Sequence, residues 1–352
     1  MSDQKKILLI LTPGFPISEA DSTCLPMQQN LVNALQNNYP AIKIIVLSFQ
    51  YPYHQQTYQW HGITVISFGG ENKGGVQKLL LRRKLNNTLK TIHSNNNIIG
   101  LLSFWYGECA LVGKRFANKY QLKHFCWILG QDAKKENEYP KKIKAGANEL
   151  IALSDFLQDE FENNHGTKPT HVIMPGIDAA QYPVTVNARD IDVLGAGSLI
   201  PLKQLDVFVK TIAALKKQFP TLKAMLIGDG PQKENLQQLA KANGLQENII
   251  FTGELKYEEV LHQMQRAKIF LHPSSYEGFS GVCQEALYAG AHVISFCRAM
   301  KTEIPQWHIV QDEQTMIKKA RQLLQDPFTQ YNSVTTSSIN ETATQMMALF
   351  AG

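Results

Sequence analysis

The chain has 352 residues, more than the roughly 250 to 300 at which a single hydrophobic core stops growing, so two domains are expected and one small module is excluded. Apolar residues make up 44% and charged residues 18%, with 23 Gly and 15 Pro, which excludes wholesale disorder. The net charge of +5 lies entirely in residues 1–178, because acids and bases balance in residues 179–352; that excess is too mild for a dedicated nucleic-acid binder but suits an anionic small molecule or membrane surface.

The start, Met1-Ser-Asp-Gln-Lys-Lys, leads into only five apolar residues, Ile7 to Leu11, before Thr12-Pro13-Gly14. That run is too short for a signal segment or a spanning helix, and no other apolar run is long enough either, so a soluble or at most peripheral protein is expected. Short apolar runs then alternate with amphipathic stretches. Strands are expected at Ile7 to Leu11, Ile42 to Ser48, Ile63 to Phe68, Ile98 to Ser103, Lys123 to Trp127, Glu149 to Ala152 and His171 to Met174. Helices are expected between them at Met27 to Gln36, Val76 to Ile92, Cys109 to Lys119 and Asp155 to Asn163. The stretch from Met174-Pro175-Gly176-Ile177-Asp178 to about Asn187 is turn-rich and reads as a linker.

The alternation then restarts. Strands Asp192 to Ala196, Leu222 to Ile227, Ile249 to Thr252, Ile269 to His272 and His292 to Phe296 alternate with helices Leu205 to Gln218, Lys233 to Ala242, Glu258 to Gln265, Val282 to Ala289 and Glu313 to Leu324. A further helix is expected in the tail, from Thr342 to Phe350. The expected class is therefore α/β, two Rossmann-like doubly wound domains facing across a cleft, with chemistry just after the strands. The divisions expected are 1–178, 179–326 and a C-terminal helical segment, 327–352, returning to the first domain.

The five cysteines are scattered and lack Cys-x-x-Cys spacing, which suggests a reducing compartment and neither a disulfide framework nor a zinc site. The richest stretch runs from Leu271-His272-Pro273 through Ser274-Ser275-Tyr276-Glu277-Gly278-Phe279-Ser280-Gly281 to Val282-Cys283-Gln284-Glu285-Ala286-Leu287. It follows a strand and opens a helix, with Ser280 as the expected N-cap and Gly278 and Gly281 letting backbone N–H groups approach an anion. Two carboxylates, Glu277 and Glu285, flank that anion site. The combination suits a ligand with both phosphates and hydroxyls; the bland alternative is a loop carboxylate and a solvated helix residue.

This stretch, with Ala289-Gly290-Ala291-His292-Val293-Ile294, resembles the Glu-x7-Glu signature of the family-4 retaining glycosyltransferases of the GT-B fold. Gly197-Ser198-Leu199-Ile200-Pro201-Leu202-Lys203, Ile227-Gly228-Asp229-Gly230-Pro231 and Pro175-Gly176-Ile177-Asp178 are similar to further segments of that family in order and spacing. The resemblance implies a cytoplasmic, metal-independent, cofactor-free enzyme of polysaccharide biosynthesis, moving a sugar from a UDP- or GDP-sugar to a saccharide or lipid-linked acceptor. It implies catalytic roles for Glu277 beside the sugar ring and for Lys203 on the diphosphate, with Glu285 on the ribose hydroxyls. Ser198, Gly278, Phe279, Ser280, Gly281, Gly253, Leu255 and, from the first domain, Gly14 would contact the donor.

Departures from the family pattern bear on these roles. Ser198 stands where an arginine often shares the phosphate, Gln204 stands where a glycine usually follows the lysine, and Gln131 and Asp132 stand near the place of an acceptor-side histidine. Asp190-Ile191-Asp192 spells a metal-binding motif of a different glycosyltransferase fold and reads as incidental here. His272 reads as a core-edge histidine. The helix carrying Arg82, Arg83 and Lys84 reads as a solvated face; its functional alternative is a peripheral contact with lipid headgroups at the inner membrane face. A nucleotide-sugar epimerase and a noncatalytic binding subunit on the same scaffold are the competing functions.

Overall fold

In the first half, β1 (Lys6–Gly14), α1 (Pro26–Asn38), β2 (Ile42–Tyr51), β3 (Gln55–Trp60), β4 (Ile63–Phe68), α2 (Gly75–Asn95), β5 (Asn97–Phe104), α3 (Glu108–Tyr120), β6 (His124–Ile128), α4 (Tyr139–Ile143), β7 (Leu150–Ala152), α5 (Asp155–His165) and β8 (His171–Val172) follow one another. They belong to a computed structural model that describes residues 6–182 and 188–351. Residues 1–5, ahead of the first expected strand, and 183–187, at the end of the expected linker, lie outside the described residues. Residues up to Gly176 together with those from Ile339 form one compact unit, and Ile177–Ser338 form a second, which includes residues 327–338.

The sheet of the first unit has the order β3-β4-β2-β1-β5-β6-β7-β8, parallel except for the β3–β4 pair. Ile7 to Thr12 of β1 are fully buried because the strand lies mid-sheet, which is why its sequence is an unbroken apolar run. The edge strand β3 was not expected from the sequence. Its residues, Gln55-Gln56-Thr57-Tyr58-Gln59-Trp60, are mostly polar and alternate in exposure, and His61 and Gly62, both with positive φ, turn the chain tightly into β4.

The second unit runs through β9 (Ile191–Ala196), α6 (Leu205–Lys216), β10 (Ala224–Ile227), α7 (Lys233–Ala242), β11 (Ile249–Gly253), α8 (Tyr257–Arg266), β12 (Ala267–His272), α9 (Gly281–Tyr288), β13 (His292–Ser295), β14 (Trp307–Ile309) and α10 (Glu313–Gln325). The three-residue edge strand β14 is the other strand absent from the sequence expectation. All six strands are parallel, in the order β11-β10-β9-β12-β13-β14. Counted along the unit this is 3-2-1-4-5-6, the doubly wound order whose direction reverses between β9 and β12. Ile269 and Leu271 of β12 pack on one face with Phe208 and Ile212, and Phe270 packs on the other with Leu261, Met264 and Leu287, so both faces are covered by helices.

α11 (Ile339–Ala348) completes the first unit. The Thr342 hydroxyl donates to the Met174 carbonyl at 2.9 Å, and Lys123 donates to the carbonyls of Leu349 (3.2 Å) and Ala351 (3.0 Å). Among the described residues no helix is long and apolar enough to cross a membrane.

Two glycines after β10 shape the loop after β9. Gly228 has φ 130°, and a Cβ there would lie 2.0 Å from the Gly197 carbonyl oxygen; a Cβ at Gly230, φ 153°, would lie 2.6 Å from that of Leu199. The close approach lets Gly197 N–H donate to Ile227 O (3.0 Å), Leu199 N–H to Asp229 O (2.8 Å) and Gln232 N–H to Leu199 O (2.9 Å). Gly228→Ala is expected to cost about 2–3 kcal/mol through strain and overpacking. Gly281→Ala, whose Cβ meets open space, should stay within about 0.5 kcal/mol of wild type; urea unfolding of both variants measures the difference.

Candidate active site

In an open α/β sheet the crevice for a ligand lies outside the carboxyl ends of the strands where the winding reverses. In the second unit that point is flanked by the loop after β9, which ends in a single 3-10 turn at Pro201–Lys203, and by the loop after β12, Pro273 to Ser280. One carbonyl ties the loops together. Leu202 O accepts from the Ser275 N–H (3.0 Å), the Ser275 hydroxyl (3.1 Å) and the hydroxyl of the buried Ser274 (3.3 Å). Gln204 then takes a left-handed conformation, φ 46°, to start α6, which accounts for the glycine expected there and means that this chain carries a local strain of about 1 kcal/mol.

The tie sets Lys203 beside Glu277. Lys203 Nζ lies 2.5 Å from Glu277 Oε1, and His272 Nε2 lies 3.0 Å from the same oxygen. A carboxylate only accepts, so His272 carries its proton on Nε2. Burial would raise the Glu277 carboxyl, but the His272 hydrogen bond and the Lys203 charge outweigh it and hold the group at about 2. Burial pushes the His272 imidazole below its ordinary value against the opposing pull of Glu277, so it is a neutral donor at pH 7. His272 is buried, as its reading as a core-edge residue expects; its hydrogen bond to Glu277 was not anticipated, though it stands at the end of a strand five residues before the glutamate.

Glu285, one to two turns into α9, has a different environment. Its Oε1 accepts from the Tyr257 hydroxyl at 2.8 Å, and burial pushes its carboxyl up to about 7, only partly offset by that bond. The two glutamates, eight residues apart, thus have separated protonation ranges, a pattern associated with functional sites.

Ser280 sits at the N-cap position of α9 but does not cap it, a correction to the sequence expectation: its side-chain oxygen lies 3.2 Å from His272 Nε2 instead. The helix ladder begins with the N–H groups of Cys283 and Gln284 on Ser280 O, so those of Gly281 and Val282 precede it and are available to an anion. The Phe279 ring packs inward, edge-on to Trp307 at 5.9 Å. Ser198 is exposed, Leu255 packs on the α8–α9 side of the sheet, and Gly253 has φ 74° with its carbonyl accepting from Gly228 N–H at 2.9 Å. Asp190 pairs with Arg266 and Asp192 with Lys268 (2.7 Å), so both carboxylates of the Asp-x-Asp spelling are engaged in ion pairs.

The first unit reverses its winding between β1 and β5, and a cavity of about 620 Å³ opens there. Pro13, Trp105, Glu108, Gln131, Asp132 and Tyr139 are among its lining residues. Asp132, just beyond β6, accepts from Leu129 N–H at 2.9 Å; burial pushes its carboxyl up to about 7 against that bond and the Tyr106 N–H. Trp105 has φ 68°, rare for a bulky residue, and lines this cavity. Glu108, in the first turn of α3, accepts from Arg82 through both oxygens, from Tyr139 OH (2.8 Å) and from Lys78 (3.1 Å). Burial would raise its carboxyl, but these donors hold it at about 2. Residue spacing alone did not point to this cluster, though Glu108 follows a central strand as the other candidate residues do. At Gly14 a Cβ would meet only ordinary contacts, 3.6 Å from Tyr51 and 3.7 Å from Leu25, so the fold itself does not require glycine there.

Residues 181–334, which lie within the second unit, match the family described as Glycosyl transferases group 1. Over 93 residues the chain is 33% identical to the phosphatidylinositol N-acetylglucosaminyltransferase gpi3 subunit of Schizosaccharomyces pombe, covering 26% of this chain and 20% of that protein. Over 147 residues it is 28% identical to the uncharacterized glycosyltransferase YqgM of Bacillus subtilis, covering 41% of this chain and 40% of that protein. The chain spans less than half the length of these relatives. Among solved structures, Anabaena Alr3699/HepE in complex with UDP and glucose superposes with a TM-score of 0.68 at 16% identity, over 98% of this chain and 95% of that one. The fold is therefore GT-B: two Rossmann-like α/β domains.

A depressed carboxylate stabilises the native state above its unfolded value, here 4.5, and that stability is lost as the pH falls toward about 2. Lys203→Met should move the Glu277 titration upward from about 2, detectable by carboxyl NMR, and should shrink the loss of stability between pH 4.5 and 2 relative to wild type. An unchanged titration would mean that the ion pair does not form.

Proposed function

We propose that the chain is a retaining, metal-independent glycosyltransferase that moves a sugar from a nucleotide sugar to a hydroxyl of a saccharide or lipid-linked saccharide. The second unit would hold the donor and the cavity of the first unit the acceptor. The observation that carries the reading is the Lys203–Glu277 pair at the winding reversal of a group 1 domain, beside the open N-terminus of α9.

The chemistry follows from those groups. Breaking the bond between the anomeric carbon and the diphosphate leaves negative charge on the departing oxygen. The Lys203 ammonium and the α9 N-terminus would take up that charge, so no metal is required. Glu277, already ionised and oriented by His272, would accept hydrogen bonds from the donor sugar, and Glu285 from the ribose hydroxyls. Ser198, Gly253, Leu255 and the main chain from Gly278 to Gly281 would complete the donor contacts of the second unit. Gln131 and Asp132 would face the acceptor; with its carboxyl near 7, Asp132 can exchange a proton with the acceptor hydroxyl at neutral pH. A UDP-sugar is the first donor to test, supported by the UDP in the Anabaena complex.

The test is a panel of UDP- and GDP-sugars with and without saccharide acceptors. Acceptor-dependent release of nucleoside diphosphate is expected, whereas an isomerised donor would mark an epimerase and binding without turnover a noncatalytic subunit. Glu285→Ala should weaken donor binding by about 1.5–3 kcal/mol through lost charged hydrogen bonds. Glu277→Ala and Asp132→Asn should depress kcat more than affinity. If both glutamate variants transfer sugar like wild type, the site assignment fails.

Because hydroxyl donors favour the ionised form of Glu285, donor affinity should rise as the pH increases through about 7 and then level off. Tyr257→Phe removes the one bond that lowers this carboxyl, so the rise should shift to higher pH; calorimetric titration between pH 6 and 9 reads both curves.

A further inference from the structure

We infer that the outward face of α2 docks the first unit on an anionic lipid surface. Across its 21 residues the helix carries five Lys and Arg and no Asp or Glu. Leu81, Leu85, Leu89 and Ile92 face the core, and at 100° per residue Val76, Leu79, Leu80, Arg83 and Lys90 fall on the opposite side. A solvated face would be polar there. Instead Val76, Leu79 and Leu80 are 73%, 66% and 51% exposed, three of the seven strongly exposed large hydrophobics among the described residues.

The charges are divided in a way the sequence does not show. Lys78 and Arg82 are bound to Glu108, so Arg82, expected in the lipid contact, is not part of it. Among the described residues Arg83, Lys84 and Lys90 have no carboxylate at ion-pair distance; Lys84 donates to the neutral amide of Gln55 at 3.1 Å. Gln55 lies two residues from Tyr53, which is 64% exposed. Leucines to enter the acyl boundary, cations at headgroup level and a nearby exposed tyrosine fit an interfacial helix. A second copy of this chain would bring the same cations against each other, whereas phosphate headgroups neutralise them.

The inner side of the helix adjoins the first-unit cavity: Asn72, three residues before α2, lines it, and Lys78 bonds to Tyr139 at 2.9 Å, itself a lining residue. Resting on the transferase reading, this favours an acceptor that is lipid-linked and reaches the cavity from the membrane.

The test is co-sedimentation of the full chain with vesicles of phosphatidylcholine alone and of phosphatidylcholine with phosphatidylglycerol. Binding should require the anionic lipid and weaken with salt. The double variants L79E/L80E and R83E/K90E should each reduce partitioning by at least about tenfold while keeping the wild-type Tm. Absence of binding, equal binding to neutral vesicles, or variants that bind like wild type would overturn the inference. So would light scattering showing a wild-type dimer that L79E/L80E dissolves. Nucleotide-sugar binding by the same preparations separates the two readings. A chain that binds donor but no vesicles overturns the docking face alone, and one that binds anionic vesicles but no donor supports the face while overturning the transferase reading.

Discussion

The candidate site depends on the carbonyl of Leu202. With three donors from Ser274 and Ser275 on one oxygen, it fixes the loop after β9 to the loop after β12 across the point where the sheet reverses. Lys203 is the next residue, so its ammonium has little choice but to meet the carboxylate that the second loop presents. The glycines after β10 matter for the same reason. Only residues without a Cβ let that turn approach closely enough to hold the Gly197–Leu199 segment from its other side. Even a partly buried cation and anion are costly to bring together, and the cost is offset where further hydrogen bonds and fixed geometry hold them.

The carboxylates of the two candidate sites divide by environment. Glu277 and Glu108 each face cations and stay ionised, while Glu285 and Asp132 are buried with neutral donors and titrate near neutrality. Each candidate site therefore pairs an acid that stays ionised at neutral pH with one that titrates near neutrality. For a polyhydroxylated ligand the division is useful: a fixed anion orients hydroxyls, and a proton-labile acid takes charge only when hydroxyls arrive to stabilise it.

Much of this was legible in the sequence. The apolar runs gave the central strands because strands buried on both faces cannot alternate, and the Glu277–Glu285 spacing gave the loop and helix that carry them. β3 escaped because its glutamines point to solvent at a sheet edge, and β14 because three residues make no pattern. The function of His272 was hidden because a buried histidine reads the same whether it fills space or orients a neighbour. The Glu108 cluster was hidden because its partners come from helices far apart in the chain, and residue spacing carries no information about which long side chains converge.

The Glu108 cluster also sets what α2 presents outside. By drawing Lys78 and Arg82 inward, one carboxylate withholds two of the helix's five positive charges from its surroundings. Position 108 thereby acts as a rheostat on the surface potential of the helix. Altering this single acid would change the charge that the helix presents without touching any outward-facing residue.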